Sequence, residues 1–457
     1  MSQRPVVPTD CHSRNHGRSW CSWRLVAVLF VLALLPRLIS VVAVPGRWLE
    51  GRASDAETYW RLTDYWLETG VYGGVQGDNP RRGVPDAYLP PLYPILLTGT
   101  ALLTGHSLVA VNVVQAVLGA LACVFAFYVA ALVYADRRIA WLAFIANALY
   151  PVLLLWVNFH LTETLYVFLL SGMMLCLTLA LKQYRKRYAL FAGGLFALTL
   201  LTREALVLYL PFLFIFWLVD RVDWREKWMV LGRFSIGALL VFTPWWVRNA
   251  IVLDQMVVLT GRMDRSVADL LGFVTPFALP GESSGAIVAS FPSPSDDLAL
   301  AACDARAVYG AISERNVPAG MEHSPAETCC KYRAILRDGV SIGESVALLI
   351  ACFFETWMHP NGLWSVPGGA LQTLYLTAHC GMMAIALVGV VLSLRRRLAW
   401  PMILMLVYGT LAHILRGALP RYVLPYMPMV FIFVACALVT GYETLCKRRQ
   451  PASEGHT

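Results

Sequence analysis

The sequence has few charged residues. Only 14% of its 457 residues are Asp, Glu, Lys or Arg, whereas a typical soluble domain has about 25%. At the same time 58% of the chain is apolar, which leaves too little polar surface to cover a water-soluble globule of this size. The composition therefore excludes an ordinary soluble domain and predicts a chain whose solvent is the lipid bilayer.

Several short motifs are absent as well. The sequence has no CxxC pair, no HExxH motif and no Gly-rich nucleotide loop, so it names no metal or cofactor, although a divalent cation stays open. No Asn-x-Ser/Thr sequon occurs. Cys123 and Cys436 lie in apolar runs and are expected to be small core residues. Cys303 lies in a polar loop, where Cys329 and Cys330 are candidate disulfide partners.

The formal net charge is +8, but the basic residues do not form one patch. They occur in short clusters between apolar runs, for example at 182–187, 395–397 and 447–449. Such clusters are typical of the positive-inside rule, which places Lys and Arg on the cytoplasmic side. We therefore expect a lipid bilayer and no nucleic acid as partner, with both termini in the cytoplasm.

Apolar runs of about 20 residues, long enough to cross a membrane, recur along the chain. They lie near residues 25–44, 107–133, 139–157, 164–181, 229–247, 373–394, 398–415 and 422–443. The run 188–220 is longer, and Arg203 with Glu204 divides it, which predicts a hairpin of two spans. Ten spans place every basic cluster on one side. The shorter stretches 92–104 and 343–357 are predicted to be interfacial or re-entrant helices, so the range is ten to twelve spans.

The spans and loops predict five parts of the chain. They are a cytoplasmic tail 1–24, an N-terminal transmembrane module 25–250 that contains a first outer loop 45–106, a large extracytoplasmic loop 251–371, C-terminal transmembrane helices 372–445, and a cytoplasmic tail 446–457. The first span is too long for the apolar part of a signal peptide, so it is expected to be retained. Arg37 is the main charge inside a span and is expected to snorkel outward.

The first outer loop is predicted to carry an amphipathic interfacial helix that ends at Gly70. Asp55 and Tyr59 are four residues apart, so they share one face of it. Asp55 also has a structural explanation. Ser54-x-x-Glu57 fits a capping box, and an acid in the first turn suits the helix dipole.

Two further outer segments carry candidate residues. Tyr88 begins the run Tyr88-Leu-Pro-Pro-Leu-Tyr-Pro94, whose prolines predict a stiff extended segment or simply a turn. His160 lies between two spans and fits an interfacial side chain. Glu163 opens the next span, where an acid is costly unless it faces a cavity or a partner.

Three arginines are predicted on the same outer side. Arg203 lies at the tip of the hairpin, Arg248 near the end of the seventh span, and Arg421 at the start of the tenth. Arg248 can be explained by snorkelling at a helix C-terminus. Arg421 opposes both the helix dipole and the positive-inside rule. A site for an anion such as phosphate would account for it, because guanidinium suits phosphate geometry.

Together these segments resemble the GT-C fold glycosyltransferases that use polyprenyl-phosphate sugars, of the protein O-mannosyltransferase and aminoarabinose transferase type. The matching segments follow the family's order and span nearly the whole chain. They are Asp55 with Tyr59, the Pro90–Pro94 run, Thr162-Glu163, Leu201-Thr-Arg203, Pro244–Asn249 and Arg421–Pro425. Each segment is weak alone, and their shared order makes the set specific.

The resemblance implies an all-α polytopic membrane protein, a GT-C-like bundle of about ten transmembrane helices whose extracytoplasmic loops carry interfacial helices. It implies a polyprenyl-phosphate sugar donor and a glycan, lipid or protein acceptor. Transfer would occur with inversion at the outer face of the inner (plasma) membrane. The module 25–250 would then be catalytic.

Carried over residue by residue, the resemblance makes Asp55 the catalytic base and Glu163 a second catalytic acid. The expected substrate-binding residues, with the arginines on the phosphate, are Tyr59, Tyr88, His160, Arg203, Arg248, Arg421 and Tyr422. Two positions depart from the family. Ala56 replaces a frequent second acid after Asp55, and Glu204 replaces the proline that usually follows the hairpin arginine.

Other interpretations stay open. An oligosaccharide ligase or polymerase could share the fold. A transporter or lipid flippase would be expected to show polar residues at mid-membrane and repeated halves, whereas here mid-span charge is nearly limited to Arg37 and no repeat is visible. A non-enzymatic scaffold would leave Arg421 unexplained.

Overall fold

The computed structural model describes residues 22–44, 54–73, 85–183, 186–220, 223–254, 257–260, 353, 357, 370–416 and 420–449. Within these ranges the regular secondary structure is helical, and one isolated bridge joins Gly73 and Pro85. The α-helices are α1 (Trp23–Ala43), α2 (Ser54–Thr69), α3 (Leu92–Thr104), α4 (Leu108–Tyr134), α5 (Arg137–Leu149), α6 (Pro151–Leu155), α7 (Glu163–Gln183), α8 (Lys186–Leu200), α9 (Tyr209–Val219), α10 (Trp224–Val252), α11 (Ala370–Ser393), α12 (Trp400–Arg416) and α13 (Met427–Arg449). Short 3-10 segments lie at Trp156–Asn158, Glu204–Leu206, Arg397–Ala399 and Pro420–Tyr426.

Six of the described helices are long and apolar enough to cross a membrane. They are α1, α4, α7, α10, α11 and α13. A seventh span results if α5 and the segment Pro151–Asn158, which are bent by 51°, cross as one. A multi-pass helical membrane protein is thus confirmed. The count of ten stays a prediction, because α8, α9 and α12 are shorter apolar helices.

The predicted breaks in the apolar runs fall where expected. The run 188–220 is divided into α8 and α9, and Arg203 lies between them. The short stretch 92–104 is the helix α3, which ends at Gly105 with a left-handed φ of 66°. Most of the second stretch, 343–357, and Cys303 with its two candidate partners lie outside the described residues. The five-part division of the chain stays a prediction.

Two pairs of helices approach to backbone contact at glycines. A Cβ at Gly193 of α8 would overlap the carbonyl oxygen of Phe234 in α10, and a Cβ at Gly237 of α10 would overlap that of Leu190 in α8. Gly389 of α11 meets α13 in the same way. Small residues of this kind let membrane helices pack closely, because lipid supplies no hydrophobic force between helices.

The predicted cytoplasmic segments meet at one end of the bundle. Arg138, at the start of α5, pairs with Glu443 near the end of α13. Arg397 pairs with Asp220 just after α9, at 2.7 Å. Two pairs of segments that were expected to share one side of the membrane are therefore in contact, while the orientation itself stays a prediction.

The expectation that Arg37 snorkels outward is wrong. Its side chain is 1% exposed and points into the bundle. Nη1 donates to the carbonyl of Ala33 at 2.8 Å, and Nη2 donates to the carbonyl of Asn147 at 3.2 Å. The Asn147 carbonyl is free to accept because the residue four positions later is Pro151, which has no N–H. A break between α5 and α6 thus supplies an internal partner that the sequence pattern did not reveal.

Candidate active site

The helix α2 presents the first candidate residues. Its amphipathic pattern was predicted correctly, and Gly70, with φ of 72°, ends it. Leu62 and Thr63, which belong to this helix, are buried. Tyr59 contacts Tyr93 of α3 edge to face, with ring centroids 5.1 Å apart. Asp55 therefore stands at the start of a helix that packs on the rest of the protein through its aromatic face.

His160 connects α2 to the membrane bundle. Trp60 Nε1 donates to His160 Nδ1 at 2.9 Å, and His160 Nε2 lies 2.8 Å from Asn112 Oδ1 of α4. These bonds fit a neutral ring protonated at Nε2. Burial lowers the pKa of His160 to about 4, so the ring stays neutral at physiological pH. In these contacts His160 holds α2 in place, and its predicted substrate contact stays a prediction.

The first carboxylate–guanidinium pair joins Asp55 to Arg421. Arg421 Nη2 donates to Asp55 Oδ2 at 2.9 Å, and the Asp55 side chain is 53% exposed. Arg421 belongs to the 3-10 segment that precedes α13. The helix α2 is thereby tied to a segment 366 residues away in the sequence. The arginine that had no simple structural explanation thus contacts the acid expected to be the base.

The second pair is buried. Arg203 Nη1 donates to Glu163 Oε1 at 2.8 Å, and the Glu163 side chain is only 3% exposed. The helix α7 begins at Glu163, as predicted. Glu163 Oε2 is also buried and has no hydrogen-bond partner among the described residues. A carboxylate at the end of a membrane span is costly without a partner of opposite charge, and Arg203 is that partner for Glu163. The Oε2 atom is left to bind another group.

The ring of Tyr422 brings the two pairs together. The Cζ atoms of Arg203 and Arg421 lie 4.9 Å and 5.5 Å from its centroid, so both guanidiniums make cation–π contacts with one ring. Burial raises the pKa of Tyr59, and both ion pairs lie close enough to act on its hydroxyl electrostatically. Tyr59 therefore keeps its proton and can donate a hydrogen bond in this cluster.

Arg248 lies in a different set of contacts. It donates to the carbonyl of Asp86 at 2.7 Å and to that of Tyr72 at 2.8 Å. Its Cζ atom is 5.3 Å from the ring centroid of Trp245. It therefore ties two points within the first outer loop, Tyr72 and Asp86, to α10, and no described contact joins it to the two ion pairs. Its predicted phosphate role stays a prediction.

Tyr88 lies in the same loop, two residues after Asp86, and is half-buried. Its backbone N–H donates to Asp86 Oδ1 at 3.1 Å. In the described parts of the chain no contact joins its side chain to the ion pairs. Sequence reasoning missed Asp86, Tyr72 and Trp60, because each acquires a role only through a partner far away in the chain.

A metal site is not assembled by the described residues. They contain no group of three or more His, Cys, Asp or Glu side chains close enough to hold an ion. The involvement of a divalent cation therefore remains as open as it was from the sequence.

Comparisons with known proteins agree with this architecture. Residues 89–247 match the family model of dolichyl-phosphate-mannose-protein mannosyltransferase. The fold is similar to the oligosaccharyltransferase of Archaeoglobus fulgidus, solved with a tethered acceptor peptide, with 15% identity and a TM-score of 0.53 over 94% of this chain and 51% of that one. This chain thus spans about half the length of that protein.

Two structures of ArnT from Cupriavidus metallidurans are also similar, each with 15% identity and a TM-score of 0.42. The apo structure is covered over 78% of its length and 94% of this chain, and the structure bound to undecaprenyl phosphate over 79% of its length and 93% of this chain. No curated protein sequence matches this chain.

The helices and the matched segment define a multi-pass α-helical membrane protein with a glycosyltransferase-like fold. Its resemblance to the GT-C glycosyltransferase family, predicted from the residue pattern, is confirmed. The matched segment runs from just before α3 into α10 and contains Glu163 and Arg203. Asp55 and Arg421 lie outside it, so their roles depend on the contacts described above.

Proposed function

We propose that this protein transfers a sugar from a polyprenyl-phosphate donor to an acceptor, with inversion, at the extracytoplasmic face of the inner membrane. The observation that carries the proposal is the cluster of two carboxylate–guanidinium pairs, Asp55 with Arg421 and Glu163 with Arg203, around Tyr422. The description of the matched family, which names a dolichyl-phosphate sugar as donor, supports the choice of donor class.

Asp55 is the proposed general base. It removes the proton of the acceptor as the acceptor atom attacks the anomeric carbon and the bond from that carbon to the phosphate oxygen breaks. The products are the glycosylated acceptor, protonated Asp55 and the free lipid phosphate. Attack from the side opposite the leaving phosphate inverts the anomeric centre. The exposure of Asp55, 53%, leaves room for an acceptor beside it.

Arg421 is the proposed phosphate ligand nearest to the reaction. During transfer one negative charge disappears from Asp55 and one is added to the leaving phosphate. A guanidinium between the two can interact with the charge at its origin and at its destination, and it needs no large reorganisation to do so. Arg421 contacts Asp55 directly and shares the Tyr422 ring with Arg203, which fits that position.

Glu163 and Arg203 form the fixed part of the proposed site. The buried carboxylate orients Arg203, whose side chain is 23% exposed and so can contact a ligand. Tyr59 supplies a phenol hydroxyl beside both pairs. A donor phosphate bound here would sit at the end of the membrane spans, where its polyprenyl chain can remain in lipid.

The experiment that tests the proposal is an assay with purified protein in lipid nanodiscs. A panel of labelled undecaprenyl- and dolichyl-phosphate hexoses and pentoses is offered together with candidate glycan, lipid and protein acceptors. We expect one donor of this class to be consumed, with release of its lipid phosphate. Use of polyprenyl-diphosphate oligosaccharides alone would indicate a ligase, and movement of lipid between leaflets without glycosidic bond formation would indicate a flippase.

A variant arm of the same assay addresses Arg421. Arg421→Ala should raise the KM for the polyprenyl-phosphate sugar about ten- to a hundredfold, because a charge-assisted contact with phosphate is lost. Arg61→Ala is the matched control, since Arg61 is an exposed arginine on α2 that pairs with Glu57. An unchanged donor KM for Arg421→Ala would exclude it from the phosphate site.

A further inference from the structure

A small cavity lies inside the bundle, directly behind Glu163. Its volume is about 20 Å³, and its lining comes from α1, α4, α5, α6 with the following 3-10 segment, α7, the 3-10 segment Pro420–Tyr426 and the start of α13. A space of this size holds about one water molecule. Arg37 and Glu163 both line it, so the cavity connects the middle of α1 with the proposed active site.

Four buried polar atoms belong to residues that line this cavity, and none has a hydrogen-bond partner among the described residues. They are Arg37 Nε, Trp156 Nε1, Asn147 Oδ1 and Glu163 Oε2. The first two can only donate a hydrogen bond, and the last two accept one here. One water accepts two hydrogen bonds and donates two, which matches this set in number and kind. Buried polar atoms in proteins are normally satisfied in this way.

The charge of Arg37 needs compensation as well. The hydrogen bonds described for its guanidinium go to neutral groups, namely three backbone carbonyls and the Cys123 thiol. A buried cation within a membrane span is costly unless it faces a partner of opposite charge or a water-filled cavity. Among the residues that line the cavity, Glu163 carries the carboxylate.

We propose that Arg37 is a positioning residue for Glu163 and that an ordered water in this cavity links the two side chains. Arg203 then fixes one oxygen of the carboxylate, and the water held by Arg37 fixes the other. Together these contacts fix the rotamer of the Glu163 carboxylate, and Glu163 in turn fixes Arg203. Only the consequence for sugar transfer rests on the proposed function, since the linkage itself is a property of the folded chain.

Gly119 of α4 offers a way to disturb the linkage without changing any charge. A Cβ at this position would meet Arg37 Nε at 2.8 Å, so Gly119→Ala must displace the guanidinium. Ser40 offers a matched control. It lies three residues after Arg37 on α1, is buried, and accepts a hydrogen bond from Asn158, but it does not line the cavity.

The test is a double-mutant cycle in the full-length protein. Arg37→Gln, Glu163→Gln and the double variant are compared by thermal unfolding in detergent and by kcat/KM for transfer. We expect Arg37→Gln to lower kcat/KM about tenfold in the wild-type background but less than about twofold in the Glu163→Gln background. Arg37→Lys should recover most of the loss, Gly119→Ala should resemble Arg37→Gln, and Ser40→Ala should leave kcat/KM unchanged.

Additive effects of the two single variants on both readouts would overturn the proposal, because they would make Arg37 a purely structural residue. If Arg37→Gln does not fold, the cycle is run with Gly119→Ala and Glu163→Gln, and additivity there has the same meaning. The unfolding measurement needs no substrate. Coupling in unfolding without any transfer activity would therefore keep the linkage and reject the proposed function.

Discussion

Arginine–carboxylate pairs at the two ends of the helix bundle differ in burial, and the clearest contrast is between Arg138–Glu443 and Glu163–Arg203. At the predicted cytoplasmic end, Arg138 and Glu443 are 52% and 44% exposed, and exposed pairs of this kind contribute little to stability. At the outer end Glu163 is 3% exposed and contacts Arg203. Burying such a pair costs desolvation that a hydrophobic pair would avoid. The Glu163–Arg203 pair therefore fits the proposed site for a charged ligand better than a role in folding alone.

The largest expected loss of transfer activity is at Asp55, which pairs with Arg421 at the predicted outer end. Asp55→Asn keeps the shape and a polar contact to Arg421 but cannot take the acceptor proton. We expect transfer to fall about a hundred- to ten-thousandfold, the range of general-base catalysis, with normal membrane insertion and thermal unfolding. Glu57→Gln on the same helix is the matched control and should retain activity. Near-normal product formation by Asp55→Asn would exclude Asp55 as the general base.

The next largest expected effect is on the free energy of unfolding, and it concerns the buried pair Glu163–Arg203. Removing one partner leaves a buried charge uncompensated, so Glu163→Gln should lower the free energy of unfolding by roughly 3–5 kcal/mol. The double variant Glu163→Gln with Arg203→Gln should recover part of that stability but no activity. Thermal and denaturant unfolding in detergent measure the first quantity, and the transfer assay measures the second.

The comparison between the two ends supplies the control for this experiment. Arg138→Ala removes an exposed arginine from its pair with Glu443 and should change neither unfolding nor transfer appreciably. A loss of stability for Arg138→Ala as large as that for Glu163→Gln would show that burial does not distinguish these two pairs energetically. Recovery of transfer in the double variant would show that the buried pair serves folding alone.

The smallest effect is a pH dependence of the docking of α2. The pKa of His160 is lowered from 6.5 to about 4 by burial. Between about pH 4 and pH 6.5, His160 therefore binds a proton more readily when α2 is released from the bundle than when it is docked. Docking is fully stabilised above pH 6.5 and weakens as the pH falls towards 4. The protection factors of the α2 amides, which are corrected for the intrinsic pH dependence of exchange, should therefore fall over this range in the wild type. In the His160→Gln variant, the protection factors of the α2 amides should not change with pH. An equal fall in the wild type and in the variant would exclude His160 as the cause.

Much of the fold followed from the sequence because long apolar runs, basic clusters and helix breaks are local signals. The amphipathic helix α2, the division between α8 and α9, and the start of α7 at Glu163 were predicted correctly. Apolar length alone does not give the number of spans, because α8, α9 and α12 are shorter than a typical membrane span.

The residues of the candidate site could be predicted from the sequence, but the contacts between them could not. Asp55, Glu163, Arg203 and Arg421 were all expected on one side, but only packing shows which acid contacts which arginine. Arg248 and His160 hold the first outer loop and α2 in their described contacts, and no spacing rule connects either residue to partners such as Asp86 or Trp60. Arg37 was noticed as an unusual charge, but its inward direction depends on a carbonyl freed by Pro151.

The glycine contacts between α8 and α10 have a consequence for how the protein can move. Where two backbones touch, the helices cannot slide or rotate past one another without losing the contact, so α8 and α10 behave as one rigid body. That body carries Arg203 just beyond the end of α8 and Arg248 near the end of α10. Arg203 and Arg248 therefore keep a fixed separation, and a displacement between them would first require the contacts at Gly193 and Gly237 to break.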